Sequence, residues 1–329
     1  MKEAHWYERI NDKEVRCNLC PHNCLLAVNQ TGVCQARENQ EGKLVSKIYG
    51  QVSALAVDPI EKKPLFHFYP GSEVLSLGTV GCNLSCQFCQ NYHIAHDHNT
   101  QTRKLEPKEV VELTKEHNSI GIAYTYSEPL IWYEYILNTA QLIHQAGLKN
   151  VLVTNGLINP RPLAELLPYI DGLNIDLKAF SEDFYNDICQ GYLEPVKESI
   201  SLADQESLVE VTTLLIPGLN DSREEIERLV TWLAGINPDI PLHFTRYFPK
   251  YKLDAEQTPV ETLLQAKEIA EEKLNFVYLG NVRQPEYSNT YCYECGQLLI
   301  KRDLSPPKVY LQENVCPECG TEINILMAD

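Results

Sequence analysis

The chain has 329 residues, a formal net charge of −17 and 44% hydrophobic residues, with a mean hydropathy of −0.27. That length suits one large domain with small appendages and a buried core. So negative a surface repels phosphate backbones, which disfavours a nucleic-acid partner, and no apolar run is long enough to span a bilayer. The opening residues MKEAHWYERINDKEVRC contain no apolar signal region, so the expected location is the cytoplasm, with no membrane partner.

Twelve cysteines are the unusual feature. Nothing points to an oxidising compartment, so metal binding or catalysis is a better reading than disulfides. Their grouping divides the chain into an N-terminal cysteine segment (1–70), a middle of alternating strands and helices (71–285) and a C-terminal module (286–329). The first group is Cys17, Cys20, Cys24 and Cys34. Four thiolates so close suggest one site, for zinc or an auxiliary iron–sulfur cluster, and the reading leans to zinc.

Seven short, apolar, partly β-branched segments then read as strands: 74–80, 120–126, 150–156, 172–178, 208–216, 241–248 and 275–281. Amphipathic stretches between them, such as 107–117, 129–147 and 222–235, read as helices, with Pro107 and Pro162 near starts and Gly147 and Gly235 as stops. Near-continuous apolar strands alternating with helices predict an α/β fold with a parallel sheet, arranged as a partial TIM-like (β/α)6 barrel. A doubly wound sheet is the alternative. In a barrel, functional residues belong at the C-terminal strand ends.

The segment GCNLSCQFCQN (81–91) follows the first of these strands. Cys82, Cys86 and Cys89 form CX3CX2C, with the aromatic Phe88 before the last cysteine. Three thiolates hold three irons of a [4Fe–4S] cube and leave the fourth open, whereas a redox carrier supplies a fourth cysteine. An open iron can chelate the amino and carboxylate groups of S-adenosylmethionine (SAM), whose reductive cleavage yields a 5′-deoxyadenosyl radical able to abstract hydrogen. Zinc or buried core thiols are the competing readings. His93, His96 and His98 follow this loop without helical spacing and read as a solvated loop.

Further on, Cys292-X2-Cys295 and Cys316-X2-Cys319, each followed by glycine, form a zinc-ribbon pattern. A second iron–sulfur cluster is its rival.

The sequence resembles the radical SAM superfamily and, more closely, the radical SAM enzyme of the AmmeMemoRadiSam system. The resemblance rests on RCNLCPHNC (16–24), DPIEKKPLFHF (58–68), GTVGCNLSCQFCQN (78–91), YTYSEP (124–129), TNGLINP (154–160), NIDLKAF (174–180), VEVTTLLIPGLNDS (209–222), LHFTRYFP (242–249), VYLGNV (277–282) and NTYCYECG (289–296). It also extends to the activating enzymes of glycyl radical enzymes. It implies SAM bound at the barrel top, an electron donor such as flavodoxin or ferredoxin, companion proteins of that system, and a small-molecule or peptide/protein substrate. By the same resemblance Phe88, Glu128, Thr154, Asn155, Asp176 and Lys178 are candidate SAM-binding residues. Lys178, His243, Arg246 and Cys189 are candidate catalytic residues. Val153 stands where the activases have an aspartate, which weakens an activase reading. A non-catalytic electron carrier or metal adaptor is the alternative from a different class.

Overall fold

The computed structural model describes residues 1–97, 99–303 and 305–327. Eight strands form the main sheet: β1 (Ala54–Pro59), β2 (Glu73–Gly78), β3 (Gly121–Tyr124), β4 (Lys149–Thr154), β5 (Gly172–Asp176), β6 (Leu208–Leu215), β7 (Leu242–Arg246) and β8 (Val277–Gly280). Six helices fill the crossovers: α1 (Pro107–Glu116), α2 (Tyr133–Gln145), α3 (Pro160–Leu166), α4 (Leu193–Ala203), α5 (Arg223–Ile236) and α6 (Val260–Glu271).

The strands lie side by side in chain order from β1 to β8. Strands β2 to β8 are parallel, and each coincides with an expected segment. A doubly wound sheet reverses its strand order at a switch point, so the sequential order removes that alternative.

One feature differs from the expectation. The sheet gains β1, antiparallel to β2, whose residues are all partly exposed and so carry no apolar run to read. The two end strands, β1 and β8, do not pair with each other among the described residues, so the α/β sheet is open, and the partial arrangement expected does not require closure. Local chemistry sets the helix ends. At α1, Pro107 sits at the first turn and the Glu106 amide donates to Glu109 Oε2 at 2.7 Å, a capping box. Gly147 follows α2 with φ +73°, as expected of a stop. Gly235 lies inside the last turn of α5 instead, because a glycine with ordinary helical angles only weakens a helix.

The N-terminal ends of the strands are closed by residues 60–68. The amides of Phe66 and His67 donate to Glu210 Oε1 at 2.6 and 2.7 Å, and Asn174 Nδ2 donates to the Pro64 carbonyl at 2.8 Å. The C-terminal module clasps this floor from below. Arg302 donates to the Phe66 carbonyl at 2.6 Å, and the Leu326 amide donates to the His67 carbonyl at 2.8 Å. Leu299, Ile300, Ile323 and Ile325 pack with Phe66, Phe276 and Tyr278 in a satellite core. Before the sheet lie two small antiparallel sheets, with Cys17 ending a strand and Cys20, Cys24 and Cys34 in the connections. Arg37 Nη2 ties them to α2, donating to both Glu134 oxygens at 2.8 Å in a fully buried pair. Among the described residues no helix is long and apolar enough to cross a membrane.

Candidate active site

The three-cysteine loop leaves the C-terminal end of β2. Gly81 has φ +93°, and a Cβ there would lie 2.7 Å from the Cys34 carbonyl oxygen, so only glycine fits. Beyond it the loop is pinned by main-chain bonds from Ser85 N to Cys189 O (2.7 Å) and from Gln87 N to Ile188 O (3.0 Å). Asn83 Nδ2 donates to the Leu157 carbonyl at 2.7 Å. Cys82 Sγ receives the Leu84 amide at 3.4 Å and Asn155 Nδ2 at 3.7 Å. Burial raises the Cys82 thiol well above its ordinary pKa, and the Glu128 charge adds to this. Iron binding reverses that preference, since a coordinated thiol gives up its proton.

The three cysteines line a cavity of about 430 Å³ together with Phe88, Glu128, Thr154, Asn155, Asp176 and Lys178. The structure thus brings every candidate cofactor-binding residue to one place, at the C-terminal strand ends. Glu128 caps the turn Pro129–Trp132, accepting the Leu130 amide at 2.9 Å. It also accepts Thr154 Oγ1 at 2.7 Å and the Asn155 amide at 2.8 Å. Burial pushes its pKa up to about 7 against these donors. Asp176 and Lys178 form an ion pair at 2.6 Å. Burial opposes the Lys178 charge, but Asp176 and Cys86 outweigh it and hold the ammonium charged. The Phe88 ring packs against Phe184, with centroids 5.9 Å apart.

Sequence reasoning missed part of the wall. Lys63, Tyr126, Thr212 and Thr245 also line the cavity. Lys63 Nζ and Tyr126 OH both donate to Asp58 Oδ2 at 2.8 Å, and these bonds overcome desolvation to lower the Asp58 pKa to about 2. The run DPIEKKP held the signal for Asp58 and Lys63, but no spacing showed that it returns to the sheet. Thr212 Oγ1 is buried with no hydrogen-bond partner, in a residue that lines the cavity.

Other candidates lie elsewhere. His243 is buried near the floor, with Nε2 2.6 Å from Glu210 Oε2, and does not line the cavity. It stands near the start of β7, not at its end. Arg246 alternates with the cavity-lining Thr245 and donates from Nε to the Thr258 carbonyl at 2.7 Å. Cys189 is fully buried and does not line the cavity. His96 stacks on Tyr251 with centroids 5.8 Å apart, and His98 lies outside the described residues.

The sulfurs distinguish the cysteine groups. Cys292, Cys295, Cys316 and Cys319 place their sulfurs all within 4.8 Å of one another. Pairs stand 3.6 and 3.7 Å apart, near the ~3.8 Å edge of a sulfur tetrahedron around one ion. This group could hold a metal ion. Among the described residues no other three cysteines converge so tightly. The thiols of Cys82, Cys86 and Cys89 are not pressed together in this way, and donors already point at Cys82 Sγ. The residues therefore fit a cluster.

A family model described as the radical SAM superfamily matches residues 76–233, the stretch containing this loop. The chain is 42% identical to MJ0808, an uncharacterised protein of Methanocaldococcus jannaschii, over 99% of this chain and 100% of that protein. The chain belongs to the radical SAM superfamily. Members of this superfamily are enzymes that use SAM and an iron–sulfur cluster. A second protein of that archaeon, MJ1632, provisionally named a glycyl-radical enzyme activating enzyme, is 27% identical over 72% of this chain and 86% of its own length. The crystal structure of a radical SAM methyltransferase from Sphaerobacter thermophilus superposes with a TM-score of 0.53 at 16% identity, over 90% of this chain and 80% of that one. That likeness concerns the superfamily fold alone.

Proposed function

We propose that this radical SAM enzyme cleaves SAM reductively and uses the resulting 5′-deoxyadenosyl radical to take hydrogen from a small-molecule or peptide/protein substrate. One observation carries the reading: three spread thiols and an array of strand-end polar groups line one cavity, and no other cysteine lines it among the described residues. Cys82, Cys86 and Cys89 would hold a [4Fe–4S] cluster, which when bound supplies the electron and an open iron for SAM. Glu128 accepts the amino group of SAM, with Thr154 and Asn155 fixing its carboxylate. Lys178, oriented by Asp176, neutralises the SAM carboxylate. Phe88 packs the loop and excludes water. Thr212 offers its unpartnered hydroxyl to the bound molecules. Zinc occupies the C-terminal four-cysteine group as a structural ion. A cytoplasmic flavodoxin or ferredoxin supplies electrons, and the companion proteins belong to the AmmeMemoRadiSam system.

The name of MJ1632 favours one second reading, activation of a glycyl radical enzyme. Val153, where activases carry aspartate, lines the cavity and provides no carboxylate there.

Anaerobic reconstitution tests the main reading. It predicts that SAM shifts the EPR spectrum of the reduced cluster and that 5′-deoxyadenosine forms. An intact cluster with neither response would make the chain an electron carrier or adaptor. A glycyl radical appearing in an added partner protein would select the second reading.

A further inference from the structure

The four N-terminal cysteines converge without collapsing. Every pair of Cys17, Cys20, Cys24 and Cys34 is near enough to interact electrostatically. Yet no three of their sulfurs lie within 4.8 Å of one another, whereas the C-terminal four do. A single tetrahedral ion needs sulfurs about 3.8 Å apart. A cluster distributes its thiolates over several irons and holds them further apart. Neither the N-terminal group nor the loop of Cys82, Cys86 and Cys89 brings three sulfurs as close together as the C-terminal module does.

A second observation concerns charge. Arg37 is buried, and two of its donors, Nε and Nη1, have no partner. Its remaining nitrogen, Nη2, is bound to Glu134. The guanidinium lies within electrostatic reach of Cys17 and Cys34. Unmade hydrogen bonds on a buried cation are costly, and an anionic sulfur centre beside it removes that cost. The group also touches the active-site loop. The Cys34 carbonyl abuts Gly81, and His22 Nε2 lies 2.7 Å from the Asn83 carbonyl oxygen, so contacts from the N-terminal group flank Cys82.

We propose that Cys17, Cys20, Cys24 and Cys34 bind a second iron–sulfur cluster, seated against the barrel's cysteine loop with Arg37 offsetting its negative charge. This departs from the zinc favoured by spacing along the sequence, where distance in space is invisible.

The test uses the full chain carrying Cys82→Ala, Cys86→Ala and Cys89→Ala, reconstituted anaerobically. The proposal predicts that iron and sulfide remain in equal amounts, about two or four of each per chain, with a reduced-state EPR signal that SAM does not shift. Adding Cys20→Ser and Cys24→Ser removes that iron. A triple variant with no iron and about two zinc ions per chain would overturn the proposal without touching the SAM reading, which is judged on the unmodified chain. Arg37→Gln should make the retained signal harder to reduce, and an unchanged midpoint potential would remove Arg37 from the site.

Discussion

The loop of Cys82, Cys86 and Cys89 and the C-terminal module put the same residue type to opposite ends. In the module, two CX2C turns press four sulfurs together, with Cys295 and Cys319 exposed and Cys292 and Cys316 buried. Such a group could hold one metal ion and, if it does, would tie a small fold together. In the loop, three sulfurs are spread around a cavity and face groups with charge and hydrogen-bonding capacity to spare. The lesson is that spacing in space, and the company the thiols keep, separate a structural site from a reactive one. The cysteine count alone does not.

Four measurements break or sharpen the contrast. The largest effect belongs to Cys86→Ser, which should abolish 5′-deoxyadenosine formation while leaving any metal in the C-terminal module in place; retained cleavage would end the comparison. Next, Cys292→Ser should release the C-terminal metal and destabilise the module by several kcal/mol. Limited proteolysis beyond residue 286 reads this, and an unchanged digestion pattern would show that the module does not depend on metal. Third, burial pushes the His67 pKa down from 6.5 to about 4. The unfolded chain takes up a proton near 6.5 and the folded chain does not, so stability falls as pH drops from 6.5 to 4, by on the order of 3 kcal/mol. Denaturant titrations of the unmodified chain and of His67→Gln should differ by that slope, and parallel curves would refute it. The smallest effect is Asn155→Ala, which removes a donor to Cys82 Sγ and should weaken SAM binding about tenfold, read by the SAM-dependent EPR shift.

Much of this was legible in the chain. Seven apolar segments marked seven parallel strands because each is buried on both faces, as in Val151–Leu152 and Val209–Val211. Placing Glu128, Thr154, Asn155, Asp176 and Lys178 together followed from their common position at strand ends, once the strands were known. His243 and Arg246 miss the cavity for different reasons. Three apart on one short strand, they face opposite sides: His243 shares the side of the cavity-lining Thr245 but sits near the floor beside Glu210, and Arg246 takes the other side. Lys63 and Thr212 were missed because one arrives from the connection between β1 and β2 and the other is an ordinary strand threonine. Only its unpartnered hydroxyl distinguishes it, and a sequence does not show that.

The floor has a consequence for how the molecule is made. Glu210 is satisfied by residues 66 and 67, and His67 is capped in turn by the Asn324 carbonyl, 257 positions later. Contacts of such separation form late. A growing chain on the ribosome would therefore carry an unsealed underside until Asn324 emerges, and a chain cut short before Asn324 would present an open apolar base to chaperones and proteases.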